Sequence, residues 1–305
     1  MDSPLSRVIL ALLCGYLLIL LVLAARDWIT GEYPIRPDNP PVTSRIRHAA
    51  NHKDAIAALD RFSRLAEPEK AALINRLTAQ LISVEQWLTD IEQTHWEIIC
   101  LGELHEENTR NFLAEKIFPV VGTDALMLEA TPKKLQGLIR RRDAGRDYFP
   151  LLDADILNVL RAVEHRNPGL RIQGIEETDD QQSSGRSNSR DPSIAQNFWE
   201  RYRPGQRHII LFGALHCTNE PNWLFHNLHN RASASLAKRM LNVRVLGEHQ
   251  SGPVEAFVYF LDEIGVEKGD FVIPDTRALP ARIYRWFPLL NRRTLQKYSS
   301  LIVFR

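Results

Sequence analysis

Cysteine is scarce in this chain, and net charge is almost absent. Its 305 residues contain three cysteines, Cys14, Cys100 and Cys217. Cys14 falls inside an apolar N-terminal run, so at most one disulfide pair remains, which excludes a small scaffold held together by several bridges. Cys100 sits in a predicted core strand, where a free buried thiol is the expected state. Cys217 directly follows His216 and reads as a packing thiol, with a thiolate ligand as the alternative. The 38 Lys and Arg nearly balance the 37 Asp and Glu, for a net charge of +1. That excludes a global electrostatic footprint for nucleic acid, and no nucleic-acid partner is expected. The hydrophobic share, 44%, is that of an ordinary globular protein. The length suffices for one large domain with a deep core or for two small ones.

Residues 8–25 (VILALLCGYLLILLVLAA) run for 18 positions without a charge. That is about the length a helix needs to span a bilayer, and it exceeds a usual signal-peptide core. The expectation is an uncleaved transmembrane anchor over residues 1–30, the membrane being one partner. The globular part is expected on the exported, periplasmic or extracytoplasmic side. Residues 31–52 follow as a proline-rich linker, four of their prolines lying within 31–47. One domain then takes 53–305. It comprises a helical lead-in (53–95), a motif-bearing core (96–250), and C-terminal strands with a basic tail (251–305).

In the lead-in, Leu73, Leu77, Leu81, Val84, Leu88 and Ile91 mark one face of an amphipathic helix, with Pro68 in a first turn. From Trp96 short apolar runs alternate with helical patterns. Strands are predicted at 97–102, 124–129, 171–175, 208–213, 243–247, 256–261 and 299–304. Helices are predicted near 106–118, 132–143, 154–165, 193–203 and 222–241. Such alternation predicts an α/β fold, a mostly parallel sheet flanked by helices. Residues 177–192 form a polar Gly/Ser-rich loop. The tail from Asp275 is basic and aromatic, and suits either a membrane surface or a solvated face.

Two segments repeat. IICLGELH (98–105) and IILFGALH (209–216) agree at five of eight positions. Each reads as a buried strand, a glycine where the strand ends, and a histidine three residues after it. In open α/β sheets that edge binds ligands. A helix starting after His105 is expected to favour neutral imidazole there. Glu103 lies within the first copy, and Glu129 ends the strand at 124–129, so both should emerge at the same edge. A buried carboxylate there needs a cation or a histidine beside it. His105, His216, Glu103 and Glu129 therefore form a candidate site for a divalent transition metal able to activate water. Without a metal, a histidine serves as general base with a glutamate orienting it. Arg190 is a candidate oxyanion partner. Asp191 reads as a residue near a helix cap. Glu176 and Glu177 are weaker candidates at the same edge. His226 and His229, three apart, read as a solvated helix face.

Gly102-Glu103-Leu104-His105, followed by Glu106 and Asn108, resembles the opening motif of the ChaN-like proteins. Glu129 in LMLEA, the pair Arg190-Asp191, and Gly213-Ala214-Leu215-His216 resemble the later motifs of the wider group, which includes the TraB and Tiki proteins and the erythromycin esterases. The resemblance covers roughly residues 95–250. It implies either metal-dependent hydrolysis or binding of haem or iron, with Glu103, His105, Glu129, Arg190 and His216 as the site. The lead-in and the basic tail depart from the family pattern. Tyr148 alone is placed where a haem ligand is expected. The leading expectation is a membrane-anchored, metal-dependent hydrolase of an ester or amide bond in a peptide or small molecule. A haem-binding protein and a non-catalytic membrane-associated relative are the alternatives.

Overall fold

The structure is a computed structural model that describes residues 53–143, 154–183, 190–266 and 269–305. The expected anchor and linker, Tyr148, and 184–189 of the polar loop lie outside the described residues. Among the described residues, no helix is long and apolar enough to cross a membrane.

Eight strands build one mixed sheet in the order β1-β7-β8-β6-β2-β5-β3-β4. They are β1 (Ile82–Ser83), β2 (Ile98–Glu103), β3 (Ala125–Leu128), β4 (Arg171–Gly174), β5 (His208–Gly213), β6 (Met240–Gly247), β7 (Phe271–Ile273) and β8 (Ser300–Phe304). From β8 to β4 the neighbours run parallel, whereas β7 is antiparallel to β8 and β1 to β7. The helices named below are α1 (Glu67–Gln80), α2 (Val84–Gln93), α3 (Glu107–Phe112), α4 (Pro132–Asp143), α5 (Ala154–Arg166), α6 (Arg190–Trp199), α7 (Leu224–Arg231) and α8 (Gly252–Glu263).

Helices cover both faces, so the central strands read as continuous apolar runs rather than as alternations. The two-residue period still sorts their side chains. Ile99, Leu101, Ile209, Leu211, Val243 and Val245 meet α2, α3, α4 and α5 in one core. Ile98, Cys100, Ile210 and Phe212 meet α6 and α7 in another. A third core joins α1, α8 and the tail.

Several expectations are corrected. Residues 256–261 (AFVYFL) are the middle of α8, not a strand; Ser251 precedes its first turn and Pro253 lies within it. The lead-in is not one helix: 53–63 and α1 are separate, edge strand β1 interrupts, and Ser83 Oγ accepts from Gln86 N at 3.1 Å to cap α2. Residues 222–241 contain α7, a short turn of helix at Ala234–Ala237, and then the start of β6. The tail folds into the domain as short helical turns. Phe287 is 1% exposed, and Ile283 and Leu290 are fully buried. These apolar side chains of the tail join the third core. Cys100 and Cys217 are not free thiols; they form a disulfide with a Cα–Cα distance of 5.5 Å. The turn after β5 folds back across β2 at Gly102, which lacks a Cβ, and this brings Cys217 over Cys100.

Candidate active site

Strands β2, β3, β4 and β5 are parallel, so their carboxyl ends share one edge of the sheet. Glu103 is the last residue of β2, Glu129 follows β3, Glu176 lies just past β4, and Gly213 closes β5 before the 3-10 turn Ala214–Cys217. The topology therefore delivers three carboxylates and both motif histidines to one place.

Glu103 is 2% exposed, and a carboxylate that deep needs compensation. Arg110, in α3, donates Nε to both its oxygens at 3.0 and 3.1 Å. His105 lies between two carboxylates: Nδ1 is 3.0 Å from Glu103 Oε1, and Nε2 is 3.1 Å from Glu129 Oε2. Its backbone φ of 55° is left-handed, uncommon for a residue with a side chain, and turns the ring back over the strand ends. Hydrogen bonds to Glu103 and Glu129 raise its pKa to about 9, against burial. Arg110 Nη2 also stands 2.9 Å from Nδ1. It can only donate and so competes with an Nδ1–H, but each ring nitrogen faces a carboxylate oxygen and only one faces the guanidinium. The expectation of a neutral His105 is thus corrected: the carboxylate pair outweighs the start of a helix.

Glu129 is engaged on both oxygens. Oε2 accepts from Gly213 N at 2.7 Å, and Oε1 accepts from Arg190 Nη2 at 2.7 Å. Burial works to raise its pKa, but the hydrogen bonds from His105 and Gly213, with Arg190 nearby, prevail and hold it at about 2. Arg190, at the start of α6, also donates to Glu176 through Nε at 3.1 Å and Nη2 at 2.5 Å. Its own pKa is raised, first by Glu176, with burial opposing.

His216 is the second histidine, buried in the 3-10 turn. Its Nδ1 lies 2.9 Å from each oxygen of Asp191, so Nδ1–H donates to that carboxylate. Asp191 is itself buried and accepts from Leu224 N at 2.6 Å, which fixes it at the start of α7. The far nitrogen, Nε2, accepts from Arg190 Nη1 at 3.1 Å and lies 3.5 Å from Glu129 Oε1. A guanidinium cannot accept, so this contact leaves the lone pair on Nε2, directed at the shared centre.

The two glycines of the repeat are each held against the other copy. A Cβ on Gly213 would stand 2.8 Å from His105 Nε2, and one on Gly102 would stand 3.0 Å from Ala214 Cα. Both positions need the bare backbone for close approach.

Beside these groups opens a cavity of about 610 Å³, lined on its floor by Glu103, His105, Arg110, Glu129, Glu176 and Arg190. The proposed metal ligands meet there, but each donor atom is already engaged. Glu103 holds Arg110 and His105, Glu129 holds Gly213 N–H, His105 and Arg190, and His216 holds Asp191 and Arg190. Among the described residues no group of three or more His, Cys, Asp or Glu is arranged to hold an ion. The donor set thus fits a divalent ion only if Arg110 and Arg190 are displaced.

All five expected site residues, Glu103, His105, Glu129, Arg190 and His216, converge. Glu176 joins them; Glu177 lends only its backbone N–H, to Glu176. Arg110 was not anticipated, since an arginine early in a helix reads as a solvated residue. Asp191 was read near a helix cap but is the partner of His216. The signal for it was there: a buried imidazole needs an orienting acceptor. His226 and His229 stand apart on α7, with His226 Nε2 accepting from Asn230 at 2.8 Å.

No family of known sequences matches the chain, and no curated protein matches it. Among solved structures, a Bacillus cereus protein aligns at 10% identity over 77% of this chain and 97% of its own, with a TM-score of 0.45. RRSP, a MARTX toxin effector domain from Vibrio vulnificus, aligns at 16% identity over 60% of this chain and 43% of its own, TM-score 0.33. The C-terminal region of Pasteurella multocida toxin, described as having a thiol-protease-like catalytic triad, aligns at 11% identity over 63% of this chain and 30% of its own, TM-score 0.35. At TM-scores below 0.5 these likenesses carry no argument about function.

Proposed function

We propose that this edge is a hydrolytic centre that cleaves an ester or amide bond by acid–base chemistry. The observation that carries the reading is the Asp191–His216 pair. Asp191 holds Nδ1–H, and Nε2 accepts from Arg190 Nη1, a residue of the cavity floor. In this reading Arg190 Nη1 turns from His216 to the substrate, and His216 Nε2, so released, takes the proton of a water that attacks the substrate carbonyl. Arg190 stabilises the oxyanion that forms, while Glu129 and Glu176 keep the guanidinium in place. His105, held as an imidazolium between two carboxylates, returns a proton to the leaving group.

The resemblance reaches both the hydrolytic members of that group and the haem-binding ChaN-like proteins, and the Asp191–His216 pair is what favours hydrolysis. A divalent ion would have to displace guanidinium groups from Glu103 and Glu129, so the geometry favours the metal-free form. The disulfide suits an oxidising compartment, in keeping with an exported domain tethered by residues 8–25. The test is turnover of a panel of activated esters and peptides by the detergent-solubilised chain after exhaustive chelation. Turnover by metal-free protein, abolished in a folded His216→Ala variant, is expected. Unchanged turnover in that variant overturns the reading. A stoichiometric metal that is lost in His105→Ala/His216→Ala, together with activity, moves the chemistry to the metal-dependent form.

A further inference from the structure

The polar floor fills only part of the cavity. Its other wall is apolar: Leu128 and Leu211 rise from β3 and β5, Leu138 descends from α4, and Ile156 from α5. A volume near 610 Å³ is that of a site for a small organic ligand, not for a water molecule alone. The three leucines are buried and Ile156 is half-buried, so this lining offers a chain apolar contact rather than hydrogen bonds, and an apolar group on the substrate suits it best.

Lys134 adds a second feature. It stands on α4 at the same cavity and is exposed. The floor carboxylates are all engaged, Glu103 by Arg110 and His105, Glu129 by Arg190 and His105, and Glu176 by Arg190. Lys134, by contrast, forms no ion pair with any described residue, its contact being a backbone N–H donated to Thr131 Oγ1. The cavity thus presents one cation at its margin that its own acids do not satisfy.

We propose that the substrate is an amphipathic acyl compound: its carbonyl sits on the polar floor, its apolar chain lies along Leu128, Leu138, Ile156 and Leu211, and an anionic group at its far end meets Lys134. This rests on the hydrolytic reading for the carbonyl but not for the chain or the anion. The binding and the chemistry are therefore measured separately.

Nitrophenyl esters of acetate through octanoate, and the nitrophenyl half-ester of suberate, serve as substrates for the full chain in detergent. Octanoate and suberate serve as calorimetric ligands. Each added methylene is expected to raise kcat/KM about fourfold, equivalent to about 0.8 kcal/mol of burial, until the cavity is full. The suberate half-ester is expected to exceed the octanoate ester by roughly threefold, the size of an exposed ion pair, and to lose that advantage in Lys134→Met. Ile156→Asn, at a half-buried position where folding is the least at risk, is expected to flatten the chain-length series. Leu138→Ala is the second variant for the same wall. If no ester is hydrolysed but octanoate and suberate bind and respond to these variants, the ligand class stands and the hydrolytic reading falls. If the ligands fail to bind, or bind with no dependence on Lys134, Ile156 or Leu138, the proposal is overturned whatever the esters do.

Discussion

The two copies of the repeat begin alike and finish differently. Both run up a central parallel strand, both carry at or beside its end a glycine that the opposite copy packs against, and both place a histidine three residues after that glycine. His105 then takes a left-handed backbone, stays 44% exposed at its side chain, and lies between Glu103 and Glu129. His216 enters a 3-10 turn, is 9% exposed, and faces one acid, Asp191, contributed by α6. Matching motifs thus yield a proton-rich imidazole in one copy and, in the other, an Nε2 that accepts from Arg190 at the cavity floor. The difference lies in what arrives from elsewhere in the chain, and it divides the labour between an acid and a base.

The largest effect that would sharpen this division is on turnover. His216→Ala is expected to lower kcat by about 10²–10⁴, the usual share of a general base. His105→Ala should cost less with an activated leaving group that needs no proton, and as much with an alkyl ester or amide. Equal losses on both substrates for both histidines would dissolve the distinction. Next is the bridge that ties the copies together. Cys100→Ala/Cys217→Ala should lower unfolding stability by about 2–4 kcal/mol, measured by denaturant titration against the oxidised protein. No change would mean that strand packing alone holds the copies in register.

The glycines make a closer comparison. Gly102→Ala presses on the backbone of Ala214 and should cost about 1–3 kcal/mol of stability. Gly213→Ala presses instead on the His105 ring, a side chain that can swing away, so it should remove activity at a smaller cost to folding. The reverse pattern in thermal melts and assays would contradict the crosswise packing. The smallest effect is a titration. The His105 ring should titrate near pH 9 by NMR, and fall toward the ordinary imidazole range in Glu129→Gln. Because that pKa is raised on folding, the pairing stabilises the protein fully below about pH 6.5 and is lost as pH rises through about 9.

Much of this was legible in the letters, and the rest has a physical reason for hiding. The β2 and β5 runs, Ile98–Glu103 and His208–Gly213, declare themselves because a strand buried on both faces is apolar throughout. The same rule misleads at Ala256–Leu261: six apolar residues suit a buried strand or a buried helix equally, and only Ser251 and Pro253 upstream tip the balance. Strand β7 is three residues long and too short to show a pattern. Glu103, His105, Glu129, Arg190 and His216 could be gathered because parallel strands deliver their ends to one edge. Arg110 and the role of Asp191 could not, since each depends on the direction of a helix that sequence spacing does not set. The disulfide was missed for the same reason. Its partners are 117 residues apart and meet only because the turn after β5 lies across Gly102.

The most direct test of the account is Asp191→Asn. The amide keeps the shape but can donate to Nδ1, which turns the imidazole to the tautomer with its proton on Nε2 and removes the lone pair from the cavity. With the fold verified by circular dichroism, the account predicts a loss in kcat of at least about a hundredfold, with KM little changed. Wild-type turnover in folded Asp191→Asn would contradict it.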